Sequence, residues 1–421
     1  MMTEAQVTQC LDEAAKRGSR LGLERVFELS RLLGQPQKEL RVIHVSGTNG
    51  KGSFTAMLSA VLGCQGYKTG SFVTPALTGV KDSFLIGAKP ISSEKFCELI
   101  SIVWAAAETM EDKPTLFELL AVSAYVYFRN EHCDYAVIEC CMGADLDATN
   151  IVDEPLLSVI TNVALDHRAF LGSTTAEIAA HKAGVIKAKR PVVTGCTDEQ
   201  ALEVIKKRAK DLGSPLYISQ PEKLKITSLA LDGTVFEYKD SGRHELSLPG
   251  AYQPMNAALV LEAVDVLRSE GVEISEKSVS KGLGGVRWSG RFEKLSDDPL
   301  TVYDGAHNPD AMKQTAIGIK TYFPSGVVAL MGVMADKAYE SYPQMLSSLL
   351  ERVFTVTPDN PRALDARLLA EAFEKGSIAA EPCQSIEDGV RLASEYAKKK
   401  GLPLLIMGSL YLYKDVIKLY K

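Results

Sequence analysis

The run Gly47-Thr48-Asn49-Gly50-Lys51-Gly52-Ser53 constrains this chain more than any other stretch. It follows the apolar segment Val42-Ile43-His44-Val45 and opens a helical pattern from Phe54 to Leu62. A strand, a glycine-rich turn and a helix in that order make a phosphate-binding loop. The glycines let successive backbone N–H groups turn toward one anion, and the helix start adds the positive end of its dipole. Lys51 is expected to reach the β/γ-phosphates, and the Ser53 hydroxyl to help hold Mg²⁺. The spacing departs from the usual Gly-x4-Gly-Lys-Ser/Thr, because Gly52 stands between Lys51 and Ser53. The competing reading is a structural turn. The strand–helix context, with both the lysine and the hydroxyl in place, favours a nucleotide phosphate.

At 421 residues the chain is long for one domain, so two or more are expected. A net charge of −6 gives no basic field for nucleic acid, and the run Lys398-Lys399-Lys400 reads as a solvated helix end. The first twenty residues are polar with a helical pattern (Val7, Leu11, Ala14, Ala15) and lack the apolar core of a signal peptide. No stretch approaches the roughly 18 apolar residues of a membrane span. Eight cysteines are scattered without a Cys-x2-Cys pair, so neither a zinc site nor a disulfide framework is expected. Reduced thiols in a cytoplasmic protein are the simple reading, with no nucleic-acid or membrane partner.

Apolar strand-like runs alternate with longer helical patterns. Strands are expected at 42–45, 69–73, 135–139, 157–161 and 191–194, with helices such as 116–128 and 176–188 between them. That alternation predicts a mostly parallel sheet covered by helices on both faces. Asp232-Gly233 lies between two β-rich runs, 224–227 and 234–238, and predicts a hairpin in a small antiparallel insert. A helix is expected from Gln253 to Arg268. A second α/β series, with strands at 300–303, 327–333, 353–357 and 404–407, begins after the glycine-rich stretch 284–290. The fold class is thus α/β. A phosphate-loop ATPase domain with an antiparallel insert (1–293) is joined to a smaller Rossmann-like α/β domain (294–421).

Ligands of such sheets gather at the carboxyl ends of the strands. Glu139 ends one apolar strand, as a Mg²⁺ ligand beside bound phosphates would. The alternative is an acid that opens a loop. Asp166-His167 stands just beyond another strand, where the acid can orient the imidazole for metal or phosphate contact; a lone histidine is otherwise structural. Lys182 lies on a helix begun by the capping-box pattern Thr174-x-x-Glu177, and by default a lysine there is solvated. Asp304-Gly305-Ala306-His307-Asn308-Pro309 packs polar and turn residues at a strand's carboxyl end. Arg291 stands at the proposed junction, suited to phosphate or to a hinge ion pair.

Together these runs resemble the folylpolyglutamate synthase/dihydrofolate synthase family of the Mur ligase superfamily. The matches are Gly-Thr-Asn-Gly-Lys-Gly-Ser (47–53), Leu-Asp-Ala-Thr-Asn (146–150), Leu-Asp-His (165–167) with Leu-Gly (171–172), and Lys-Ala-Gly-Val-Ile-Lys (182–187). Later come Leu-Pro-Gly-Ala-Tyr-Gln (248–253) with Asn256, Gly-Arg (290–291), Asp-Gly-Ala-His-Asn-Pro (304–309), Ala-Asp-Lys (335–337) and Gly-Ser-Leu-Tyr (408–411). They follow the family order over nearly the whole chain. The resemblance implies an ATP-dependent amide ligase, in which a folate carboxylate becomes an acyl phosphate that the amine of glutamate attacks. It implies ATP and two Mg²⁺ ions, small-molecule substrates and a monomer. Lys51, His167 and Lys182 are implied as catalytic. Ser53, Thr74, Glu139, His167 and Lys182 would bind metal, Lys182 as a carbamate. Asn49, Gly50, Lys51, Gly52, Ser53, Asn256, Arg291, Asp304 and His307 would hold the nucleotide. Thr115, Leu116, Phe117 and Glu118, with Leu146, Asp147 and Ala148, would line the folate.

Four family features are altered. Ser-Pro-His-Leu is Thr74-Pro75-Ala76-Leu77, which keeps a hydroxyl and loses a histidine. The Glu-Arg that follows is absent from Val80-Lys81-Asp82-Ser83. Gly-Leu-Gly-Gly-Arg is Cys141-Met142-Gly143-Ala144-Asp145, and the acid after the Asp-Lys pair is Ala338. The losses fall mainly where pterin and glutamyl groups would bind, and exchanging a cation for an anion near an anionic substrate is costly. The positions for ATP and metal are kept, so the ligase chemistry is better supported than the folate specificity. The expectation is glutamate addition to tetrahydrofolate, to dihydropteroate or to both. The alternatives are a paralogue that uses a non-folate carboxylate, and a non-catalytic ATP-binding regulator.

Overall fold

Three sheets organise the chain in the computed structural model, which describes residues 1–420. The first has eight strands: β1 (Val42–Ser46), β2 (Thr69–Phe72), β3 (Phe84–Ile86), β4 (Lys89–Pro90), β5 (Tyr135–Glu139), β6 (Leu157–Ile160), β7 (Val192–Thr194) and β8 (Leu216–Ile218). Their spatial order is β4-β3-β2-β5-β1-β6-β7-β8. From β2 to β8 the neighbours are parallel, while β3 and β4 add an antiparallel edge. The central strands are mostly apolar and buried along their whole length, as a parallel sheet covered on both faces demands.

The antiparallel sheet contains β9 (Leu224–Ala230), β10 (Gly233–Tyr238) and β11 (Arg243–Leu246), in the order β11-β10-β9. The expected hairpin forms, but its two turn residues are Leu231-Asp232, and Gly233 (φ 157°) opens β10 opposite Ala230. The third sheet runs β12-β13-β17-β14-β15-β16. Its strands are β12 (Glu293–Asp297), β13 (Leu300–Asp304), β14 (Val327–Met331), β15 (Leu350–Thr355), β16 (Ala380–Pro382) and β17 (Leu404–Met407). All neighbours are parallel except β12, which pairs antiparallel with β13.

Two compact units result. One comprises Met1–Lys223 with Met255–Val286; the other comprises Leu224–Pro254 with the chain from Arg287 onward. Leu231, in the turn between β9 and β10, packs on the apolar core of the second unit, which is built around Phe292, Val302, Ala329 and Leu405. The Gly250 N–H donates to Tyr322 Oη at 3.1 Å. The antiparallel sheet therefore shares the second unit's core, whereas the sequence reading set it within 1–293.

Several expected strands lose one or two residues at an end, and two elements have a visible reason for stopping short. The helix expected over 176–188 runs Thr175–Lys182 and then tightens into a 3-10 turn, Ala183–Val185. A Cβ on Gly184 would stand 2.5 Å from Asp145 Cα, so the chain must turn there against a neighbouring loop. The strand expected over 327–333 stops at Met331, before Gly332. β3, β4, β8, β11, β12 and β16 escaped the sequence reading, because strands of two to five residues are too short to show a clear alternation.

Candidate active site

The order β5-β1-β6 sets three strand ends side by side, and each releases a loop with polar groups. β1 leads into Gly47–Gly50 and the helix Lys51–Gln65. Gly47 has φ 142°, and a Cβ there would collide with the Thr161 side chain beyond β6. Gly50 has φ 85°, and its Cβ would sit 2.5 Å from Asn256 Oδ1. Both positions need glycine for backbone shape and for close approach. The loop is laced to the chain after β6. Thr48 N donates to Asn162 O at 3.0 Å and Asn49 N to Asn162 Oδ1 at 2.7 Å. The Thr161 hydroxyl donates to Asn49 O at 2.6 Å. Asn162 and Thr161 were not singled out in the sequence; their only signal was polarity directly after an apolar strand.

Lys51 Nζ donates to the carbonyls of Gly47 (3.1 Å) and Thr48 (3.2 Å) and lies 3.8 Å from Glu139 Oε1. Glu139 is 3% exposed at the end of β5, and its other oxygen accepts from Thr74 N at 3.4 Å. Lys182 is 3% exposed, not solvated, and donates to the same Gly47 carbonyl at 2.8 Å. Burial first, and Lys51 second, push its pKa down to about 7. His167 opens the short helix Arg168–Leu171 in a left-handed conformation (φ 50°), and its N–H donates to Asp166 Oδ1 at 2.8 Å. Asp166 is among the charges acting on Lys182. Ser53 is buried on the first turn after the loop. The structure thus gathers Gly47–Ser53, Thr74, Glu139, Lys182 and Asn256 around one loop.

A buried carboxylate beside a glycine cradle and a lysine fits Mg²⁺, which takes most of its ligands from phosphate and water. Among the described residues, no three His, Cys, Asp or Glu side chains form a metal cage.

The expected folate-lining residues divide. Thr115 caps the helix Leu116–Asn130, and Glu118 closes the capping box. Glu118 also makes a buried ion pair with Arg25 at 2.7 Å. Leu116 and Phe117 pack at the margin of the core. Leu146 is 43% exposed, whereas Asp147 and Ala148 are buried, Asp147 through hydrogen bonds to its own loop. Asp145, at an altered family position, is held 2.8 Å from His181 Nδ1.

In the second unit Asp304 ends β13, 2% exposed. Thr315 Oγ1 donates to its Oδ2 at 3.1 Å, and Tyr252 Oη stands 3.4 Å from Oδ1. Burial lifts its pKa to about 6 against the pull of nearby Arg291. A Cβ on Gly305 would strike the Arg291 guanidinium and Leu410. His307 Nδ1 lies 2.9 Å from Gly305 O, and Asn308 caps the helix Pro309–Tyr322. Tyr252 and Thr315 were not anticipated as partners of Asp304.

Residues 45–264 match the Mur ligase middle domain, and residues 290–410 match the Mur ligase glutamate ligase domain. The folylpolyglutamate synthase of Lacticaseibacillus casei is 34% identical over 404 residues, covering 93% of this chain and 92% of that protein. The chain belongs to the folylpolyglutamate synthase/dihydrofolate synthase family. Another member, the dihydrofolate synthase/folylpolyglutamate synthase of Bacillus subtilis (strain 168), is 33% identical and covered to 96% on both sides. The Mycobacterium tuberculosis folylpolyglutamate synthase complexed with ADP and AMPPCP superposes with a TM-score of 0.90 at 26% identity. It covers 99% of this chain and 98% of its own. Membership makes the chain an ATP-dependent carboxylate–amine ligase, and the loop at Gly47–Ser53 is in keeping with that chemistry. Among the described residues, no helix is long and apolar enough to cross a membrane.

Proposed function

We propose that this ligase joins L-glutamate to a folate carboxylate, acting as a cytoplasmic monomer. The observation that carries the reading is the convergence of Lys51, Glu139, Thr74 and Lys182 on the Gly47 loop. The substrate carboxylate attacks the γ-phosphorus of ATP, and the bond to the bridging oxygen breaks, giving an acyl phosphate and ADP. The glutamate amine then attacks the acyl carbon, and phosphate leaves as the amide forms. Little covalent chemistry falls to the protein, which positions the reactants and neutralises charge. Lys51 and the loop N–H groups hold the phosphates, and Asn49, Gly50, Gly52 and Asn256 shape their cradle. Arg291, Asp304 and His307 are proposed nucleotide contacts of the second unit. Ser53, Thr74, Glu139, His167 and Lys182 would hold two Mg²⁺ ions. The ions supply Lewis-acid stabilisation of phosphate charge.

Lys182 is proposed to act as a carbamate. With its pKa near 7, much of the amine is neutral at physiological pH, and the neutral amine is the form that adds CO₂. Lys182→Ala should abolish turnover, and short carboxylic acids should restore part of it. Full activity of the alanine variant would end the carbamate reading.

A second reading rests on Asp145. Its bond to His181 leaves an acid–imidazole pair where the resemblance calls for arginine. That favours an acceptor carboxylate other than a polyglutamylated folate. One assay separates the readings. Protein is incubated with ATP, Mg²⁺, glutamate and a panel of pteroates and folates, and ADP release and product mass are followed. Turnover with tetrahydrofolate supports polyglutamylation, and turnover with dihydropteroate alone assigns the synthase step. Turnover with none removes the folate reading.

A further inference from the structure

Behind the phosphate loop lies a string of buried polar side chains; of these, only Asp147 was expected at the substrate, as part of the folate lining. His44, in the middle of β1, has no exposed surface. Its Nε2 is 2.9 Å from Thr149 Oγ1 and 3.1 Å from Cys140 Sγ. The Thr149 hydroxyl donates to Asp147 Oδ1 at 2.6 Å. Asp147 also accepts from Thr149 N at 3.0 Å, and from the N–H groups of Cys141 and Met142 at 2.9 Å each. Tyr125 Oη donates to Thr149 O at 2.6 Å.

The string has one direction. A hydroxyl carries a single proton, and that of Thr149 goes to the carboxylate, so its oxygen is left to accept from His44. The proton of the ring is thereby assigned to Nε2. The opposite tautomer would bury an N–H at Nδ1, where no acceptor stands, and a buried unpaired donor costs about 1–3 kcal/mol. Burial first, and Lys187 second, hold the ring neutral, with its pKa pushed down to about 3. Hydrogen bonds therefore run His44 to Thr149 to Asp147, and the carboxylate collects the backbone of the turn that follows β5.

That turn begins at Glu139. On its strand side Glu139 is fixed by register with Val45 and by the Cys140 N–H, which donates to Val45 O at 2.8 Å. Beyond Cys140, the first grip on the chain is the Asp147 carboxylate on Cys141 and Met142. The string anchors that grip to β1, the strand that carries the phosphate loop. We propose that His44, Thr149 and Asp147 are positioning residues that hold the Glu139 carboxylate in place against the phosphate loop. None of the three needs to touch the nucleotide. The proposal rests on the reading of Glu139 as the carboxylate that meets the nucleotide's Mg²⁺. Outer partners of this kind govern metal affinity through the orientation of the ligand they support.

The test uses the full-length protein and calorimetric titration of ADP with and without Mg²⁺, beside thermal melts. Thr149→Val keeps the shape and removes the hydroxyl's contacts with His44, Asp147 and Cys140, whereas Thr149→Ser keeps the hydroxyl. Thr149→Val should lose about tenfold or more of the Mg²⁺-dependent gain in ADP affinity, the scale typical of outer-partner changes, while the Mg²⁺-free affinity stays within about twofold. Thr149→Ser should restore the gain. Thr355→Val removes a comparable buried hydroxyl, bonded to Ala366 O at 2.7 Å in the second unit. It should lower the melting temperature and leave the Mg²⁺ effect unchanged. A wild-type Mg²⁺ effect in Thr149→Val, or no recovery in Thr149→Ser, overturns the proposal. Should Thr149→Val fail to fold, His44→Gln and His44→Leu give the same readout. The glutamine keeps an N–H donor and should retain the Mg²⁺ effect that the leucine loses; equal behaviour overturns the proposal. If ADP binding by the wild-type protein ignores Mg²⁺, the Glu139 reading falls and takes the proposal with it, so the two failures are told apart.

Discussion

Asp304 shows how one buried carboxylate ties stability to pH. Burial raises its folded pKa to about 6, from 3.8 in the open chain, although Arg291 stands near. A group raised in this way contributes its full stability below the unfolded value and loses it as pH climbs through the folded one. The loss has a limiting slope of about 1.4 kcal/mol per pH unit for one proton. Asp304→Asn removes the titration. The melting temperature of the wild type relative to the variant should therefore fall between about pH 4 and about pH 6, then level off; a constant difference would show an unshifted carboxyl. Lys182 marks the limit of reading such groups from sequence. Its helix starts with a capping box and its neighbours look solvated, so only the family motif pointed to a role. What buries it is the approach of the Gly47 carbonyl from 135 residues away, and no local pattern encodes that. His44 was hidden for a similar reason, since in a fully buried strand a histidine is one more inward residue. Glu139 and Asp304 were legible because polar groups that end apolar strands announce themselves.

At the level of elements, the strand–loop–helix at 42–65 was readable in order, because its glycines, lysine and apolar strand are contiguous, although the helix expected from Phe54 to Leu62 runs Lys51–Gln65. Its detailed shape was not. Gly47 is required by Thr161 and Gly50 by Asn256, both distant in sequence. Gly47→Ala should keep the β1 strand and lower ADP affinity by about tenfold or more, because φ 142° and the Thr161 side chain both oppose a Cβ. Titration of ADP checks this, and unchanged affinity would mean the loop can shift without penalty. The Arg25–Glu118 pair is an element-scale anchor of another kind. It ties the helix Glu24–Leu32 to the start of the helix Leu116–Asn130, and both side chains are nearly sealed from solvent. Arg25→Ala should cost about 3–5 kcal/mol in denaturant unfolding, since it strands a buried carboxylate. A loss below about 1 kcal/mol would instead place the pair among solvated bridges.

Across the whole molecule, the alternation of strands and helices foretold two α/β sheets, because each βαβ unit writes its own pattern. The attachment of the antiparallel sheet was not written locally. The hairpin was plain, but the core on which its turn residue Leu231 packs lies some seventy residues on, around Val302. Leu231→Asp should therefore speed amide exchange in β13, β14 and β17, as seen by hydrogen-exchange mass spectrometry. Unchanged exchange there would separate the small sheet from that core. The strand order of the first sheet carries a consequence for biosynthesis. β1 is made early, yet its two neighbours are β5 and β6, and the asparagine against Gly50 arrives only at position 256, after the antiparallel sheet has been synthesised. Pairings so far apart in sequence form slowly. A chain still emerging from the ribosome thus carries the Gly47–Ser53 loop long before the residues packed against it, Thr161 and Asn256, have been made.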